Sequence, residues 1–168
     1  MTVLFKGIIV TLMGAFVTPG TEAPDFKLVK NDLSEYTLKD DKGKYVVLNI
    51  FPSLDTGVCA MSVRRFNEMA ASLPNTKVLC VSKDLPFAQS RFCTVEGIEN
   101  VVPLSDFRNT SSFGEKYGVL MKDGPLQALL ARAVVVINPQ GEVVYSELVP
   151  EITQEPDYDA VLKVIPKA

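Results

Sequence analysis

Pro52, Thr56 and Cys59 stand at intervals of four and three within Pro52-Ser53-Leu54-Asp55-Thr56-Gly57-Val58-Cys59, the stretch of this chain richest in possible chemistry. It joins the end of an apolar, β-rich run to the start of a helically spaced one, the place where open α/β sheets bind ligands. A cysteine in a first helical turn faces unpaired backbone N–H groups and the positive end of the helix dipole, and both favour thiolate over thiol. Thr56, three residues earlier, can either cap the helix or turn its hydroxyl beside the sulfur to hydrogen-bond a bound oxygen. On these residues alone, a capped helix carrying a buried cysteine is the plain alternative.

Any nucleophile here is activated without imidazole, because the 168 residues include no histidine. That absence removes Cys-His and Ser-His-Asp activation, the HExxH metalloprotease pair and zinc sites that need imidazole. The three cysteines, Cys59, Cys80 and Cys93, contain no CxxC and are too few for a four-thiolate zinc site. As an odd number they do not match the disulfide framework of a small secreted domain, so functional thiols in a reducing compartment are expected, with no metal or cofactor. Arg132 interrupts the apolar run Leu129 to Ile137. A buried arginine needs an anionic partner, for which the Cys59 thiolate is a candidate. The alternative is an arginine that snorkels from the strand end to solvent or a surface carboxylate. Cys93 reads by itself as a small buried residue under a short helix, and Cys80, centred in Val78-Leu79-Cys80-Val81, as an inert core residue of a strand.

The elements that must position these side chains follow from periodicity. Tyr45 to Phe51 and Lys77 to Ser82 are apolar runs of buried-strand length, and Thr56 to Leu73 between them is helical: a βαβ unit. Val63, Phe66, Ala70 and Leu73 make its inner face, with Arg64, Arg65, Asn67 and Glu68 outside. Beyond it, Pro86 to Glu96 predicts a short helix, Val101 to Leu104 a strand, and Thr110 to Tyr117 a helix. Ala133 to Ile137 and Glu142 to Val149 are strands joined by the turn Asn138-Pro139-Gln140-Gly141, before a closing helix from Tyr158 to Ile165. The sum is a thioredoxin-like α/β sheet.

Length, 47% hydrophobic residues and 22% charged residues fit one domain over residues 1–168. A net charge of −3 with scattered lysines and arginines leaves no basic stripe for nucleic acid. Lys6 and the apolar run to Val17 could pass for a signal peptide. With one lysine, no clear small-x-small site and alternating residues, an amino-terminal β-hairpin is the reading adopted. No run approaches the ~20 apolar residues of a membrane span.

P-x-x-x-T-x-x-C, with Pro52, Thr56 and Cys59, resembles the peroxiredoxin active-site motif. Ala23-Pro24-Asp25-Phe26, Phe51-Pro52-Ser53, Asp84 to Cys93 (DLPFAQSRFC) and Ala131-Arg132-Ala133 extend the resemblance to the bacterial thiol peroxidase branch, the atypical two-cysteine peroxiredoxins. The resemblance implies a peroxidatic Cys59, a resolving Cys93 that forms a disulfide with it, a Thr56 that orients thiolate and peroxide, a shielding Pro52, and an Arg132 that donates hydrogen bonds to both. It further implies hydrogen peroxide and organic or lipid hydroperoxides as substrates, thioredoxin as reductant, a homodimer, and an antioxidant role in cell redox homeostasis. The cytoplasm is expected ahead of the periplasm. A disulfide oxidoreductase or redox sensor that uses the Cys59–Cys93 pair is the second reading; the lack of CxxC argues against a thioredoxin-type exchanger, and the Thr56, Cys59 and Arg132 combination disfavours a noncatalytic binding domain.

Overall fold

A computed structural model describes residues 1–167. The chain opens with the antiparallel strands β1 (Thr2–Phe5) and β2 (Ile8–Met13), in which Phe5 faces Ile8 across the turn Lys6-Gly7. Both turn residues have positive φ, 50° and 82°, so their twist matches that of the flanking strands. The amino-terminal hairpin is thus present, with its turn at the lysine that begins the apolar run. A second antiparallel pair, β3 (Lys27–Val29) and β4 (Glu35–Thr37), follows.

The βαβ unit comes next: β5 (Tyr45–Ile50), α1 (Gly57–Ala70) and β6 (Thr76–Ser82), with the two strands parallel from Tyr45 opposite Thr76 to Ile50 opposite Val81. α2 (Pro86–Glu96) begins on a proline, which fits the first turn because its missing N–H would be unpaired there, and ends on Gly97 in the left-handed region. β7 (Val102–Ser105) lies parallel to β6. Then come α3 (Phe113–Tyr117), β8 (Leu120–Met121), the antiparallel pair β9 (Ala133–Ile137) and β10 (Val143–Leu148), and α4 (Tyr158–Val164). The main sheet has seven strands in the order β10-β9-β5-β6-β7-β3-β4, and β1, β2 and β8 form a smaller sheet beside it.

Two helices are shorter than their sequence patterns by about a turn, and α4 stops one residue early at Val164. α3 begins at Phe113, three residues after Thr110, because Asn109 and Ser112 take positive φ and cannot extend a right-handed helix. α1 stops at Ala70 because the N–H groups of Ser72 and Leu73 donate to Met69 and Ala70, three residues back, tightening the last turn.

Along β5, Val46, Leu48 and Ile50 join the core on one face of the sheet while Val47 joins the core on the other. Burial on both faces explains why the run is apolar throughout and does not alternate. One core gathers Phe26, Phe113 and Tyr117, with the Phe26 and Phe113 rings edge to face at 5.2 Å. The other gathers Val63 and Phe66 of α1 with Val161 of α4, and Phe66 meets Tyr158 edge to face at 5.3 Å. A third, smaller core lies under the hairpin, where Val3, Val10 and Leu12 pack with Met121, Ala131 and Ile152. This is the expected thioredoxin-like α/β architecture with its hairpin extension. Among the described residues, no helix is long and apolar enough to cross a membrane.

The smaller sheet is locked to α3 by close backbone approach. Gly118, at φ +71°, lies where an added Cβ would run into the backbone of Ala15 and Phe16. Gly118→Ala should therefore lower unfolding stability by about 2 kcal/mol or more in a denaturant titration, with a change below a few tenths counting against that packing.

Candidate active site

Strand β5 delivers the chain to Phe51 and Pro52, and α1 starts after Thr56, so Cys59 is the third residue of the helix. Its side chain is wholly buried, and its Sγ accepts a hydrogen bond from Arg132 Nη2 at 3.0 Å. Arg132 is itself 1% exposed and immediately precedes β9, the strand beside β5. Its Nε donates to the carbonyl of Ile152 at 2.7 Å, while Nη1 has no hydrogen-bond partner. The arginine thus turns inward to the sulfur and does not snorkel. A guanidinium donor and the first-turn N–H groups complement negative charge on that sulfur.

Arg132 also lines a pocket of about 280 Å³ with Phe5, Pro52, Val58, Leu126 and Ile152. Its wall is largely apolar, and the Nη1 of Arg132 is buried without a hydrogen-bond partner. Pro52 is buried in that wall. Thr56 stands at its edge as the N-cap residue, yet its hydroxyl makes no cap hydrogen bond. The hydroxyl donates instead to the carbonyl of Ser53 at 3.0 Å, so neither of the two orientations expected from sequence is adopted.

Cys93 lies in α2, half-buried, and burial pushes its thiol up. Cys80, in the middle of β6, is buried with its thiol pushed up to about 12 by loss of solvent. Cys80 and Cys93 share the lining of a narrow cleft with Leu54 and Phe92. All three cysteines are free thiols. Cys59 and Cys93 occupy separate helices, and a disulfide needs their Cα atoms within about 7 Å in suitable orientation.

Sequence reasoning missed the residues that hold this arrangement. Asn49 Nδ2 donates to Ser62 Oγ at 3.2 Å, and Ser62 donates to the Cys59 carbonyl at 2.8 Å, linking β5 to the first turn of α1. Asp84 accepts from Ser53 Oγ at 2.7 Å and from the Leu54 N–H at 2.8 Å. The polar Asn49 inside an apolar run was the one available signal for the first link. Nothing local marks the second.

A thioredoxin-like sheet, a thiol at the head of α1 and a buried guanidinium against its sulfur define a class: the thiol-based redox proteins. The chain belongs to the Redoxin family, whose profile matches residues 18–162. It is 54% identical over 161 residues to the thiol peroxidase of Corynebacterium glutamicum, with 96% of each chain covered. It is likewise 54% identical over 163 residues to the thiol peroxidase of Mycobacterium tuberculosis, covering 97% of each. Among solved structures, the peroxiredoxin-like protein from Aquifex aeolicus matches with a TM-score of 0.91 at 46% identity, over 96% of this chain and 94% of that one.

The burial of Cys80 has a direct chemical readout. Iodoacetamide near neutral pH should leave Cys80 unmodified in the native protein and alkylate it only in denaturant, as peptide mapping would show. Native alkylation of Cys80 at the rate of Cys93 would contradict its assignment as an inert core thiol.

Proposed function

We propose that the chain is a thiol-dependent peroxidase that reduces hydrogen peroxide and organic or lipid hydroperoxides through Cys59. The observation that carries this reading is the 3.0 Å hydrogen bond from Arg132 to the Cys59 sulfur. In the first step the thiolate attacks the terminal peroxide oxygen. The O–O bond breaks, an S–O bond forms, and the departing oxygen takes a proton to leave as water or an alcohol. Cys59 is left as a sulfenic acid. Arg132 Nη1, which has no partner of its own, supplies a donor for the charge that develops on the departing oxygen. Thr56 reaches the sulfur by releasing the Ser53 carbonyl, and there orients thiolate and peroxide. Pro52 shields the sulfur, and the apolar wall of Phe5, Val58, Leu126 and Ile152 suits an alkyl chain.

Cys93 then attacks the sulfenic acid, an S–S bond forms and water leaves. Thioredoxin returns the Cys59–Cys93 disulfide to two thiols and is itself oxidised. Local unwinding around both cysteines precedes this step, because each sits in a formed helix. The protein works as one domain and as a homodimer, in the cytoplasm, where reducing conditions keep the three thiols free. Its role is antioxidant.

The cycle is tested by intact and peptide-mapped mass after one equivalent of cumene hydroperoxide is added to reduced protein. A loss of two hydrogens mapped to a Cys59–Cys93 bridge, reversed by thioredoxin, is expected; three free thiols after peroxide would end the peroxidase reading. Cys59→Ser should abolish turnover. Cys93→Ser should react once and stall as a sulfenic acid, and a wild-type steady-state rate for this variant would remove Cys93 from the cycle. Arg132→Lys should slow the peroxide step by roughly ten- to a hundredfold in stopped-flow single turnovers, since charge is kept but the forked donor is lost.

A further inference from the structure

The loop before Cys59 is tied to the sheet at one side chain, Asp84. Its Oδ1 accepts from Ser53 Oγ at 2.7 Å, and its Oδ2 accepts both from the Leu54 N–H at 2.8 Å and from Ser82 Oγ at 2.7 Å. Asp84 is fixed from behind as well: its N–H donates to Ser82 Oγ at 3.3 Å, and its carbonyl accepts from Ser105 Oγ on β7. Gln89, buried in α2, donates to Ser82 Oγ and to the Leu104 carbonyl, at 3.2 and 2.9 Å, which fixes the start of that helix to the same strands. The carboxylate therefore bridges the Cys59 loop to the strand end from which the Cys93 helix departs.

We infer that Asp84 is a positioning residue that latches the Cys59 loop in its folded, peroxide-reactive form and so sets how fast the sulfenic acid is handed to Cys93. The inference rests on the peroxidase reading above. Leu54, whose N–H the latch holds, shares the lining of the cleft that contains Cys93 and Phe92, so the latch fixes the loop against the surroundings of the second cysteine. Hydrogen bonds to a charged acceptor are stronger than neutral ones, and three converge here. While the latch holds, the Cys59 sulfenic acid meets a second hydroperoxide before it meets Cys93. That encounter transfers one oxygen to sulfur, giving a sulfinic acid and an alcohol. When the latch opens, Cys93 attacks and water leaves. Asp84 thus sets the partition between a recyclable disulfide and an over-oxidised thiol.

The test mixes reduced wild type, Asp84→Ala and Ser53→Ala with graded cumene hydroperoxide in the absence of reductant. Mass then separates a loss of two hydrogens, the bridge, from a gain of two oxygens, the sulfinic acid. The concentration that over-oxidises half the protein should rise roughly tenfold in Asp84→Ala and about threefold in Ser53→Ala, which removes the bond to Asp84 together with the Asp55 N–H bond to the same hydroxyl and leaves Asp84 in place. In a Cys93→Ser background, the same substitutions should slow the first peroxide step, because the folded loop is less populated. A purely structural Asp84 would lower the unfolding midpoint and leave the partition unchanged, and that result in Ser53→Ala would overturn the latch even if Asp84→Ala fails to fold. A wild type that never forms the bridge would overturn the peroxidase cycle, and the latch with it. A wild type that bridges normally beside variants with the same partition would overturn the latch alone.

Discussion

A guanidinium withdrawn from water next to a strand of valines needs a partner, and in this fold its Nη2 donates to the sulfur of Cys59. Leaving a buried charge without its partner costs about 3–5 kcal/mol, so the pair constrains everything around it. β5 and β9 must be neighbours for Arg132 and Cys59 to meet, and they pair antiparallel from Val46 opposite Ile137 to Ile50 opposite Ala133. That register ends one residue short of the arginine and places its side chain beside the start of α1. The carbonyl of Ile152 then fixes the plane of the guanidinium, so that one nitrogen points at sulfur and another stays free.

Much of this was legible in one dimension. The strands of the βαβ unit and the strand from Ala133 to Ile137 carry strong patterns because they are buried on both faces, whereas the helix from Pro86 to Glu96 is marked by the proline at its start. The Pro52, Thr56, Cys59 spacing and the arginine in an apolar run identified the pair that the fold brings together. The short elements were not legible. Strands of three, three and two residues at Lys27, Glu35 and Leu120 are too brief to show a period, and they exist because neighbours supply their hydrogen bonds. The orientation of the Thr56 hydroxyl was not legible either. It depends on where the Ser53 carbonyl lies in the folded loop, and that carbonyl takes the hydroxyl.

The supporting groups were invisible for a related reason. Asp84 and Ile152 do their work through partners 20 to 31 residues away, one by a carboxylate and one by a backbone carbonyl that any residue would provide. Sequence shows residue types. It does not show which main-chain oxygen faces a guanidinium.

The docking of the amino-terminal hairpin carries a consequence for how the molecule comes into being. Leu4 donates its N–H to the carbonyl of Pro150 and accepts from the N–H of Ile152, the residue whose carbonyl holds Arg132. Strand β1 is thus clasped to the segment that follows β10, and the arginine is oriented by that segment. On the ribosome, Cys59 and Arg132 emerge before residue 152 does, and the hairpin waits for a partner not yet translated. A chain that stops short of residue 152 therefore carries the cysteine without an oriented arginine, and the Arg132–Cys59 contact is set only once that segment has been made.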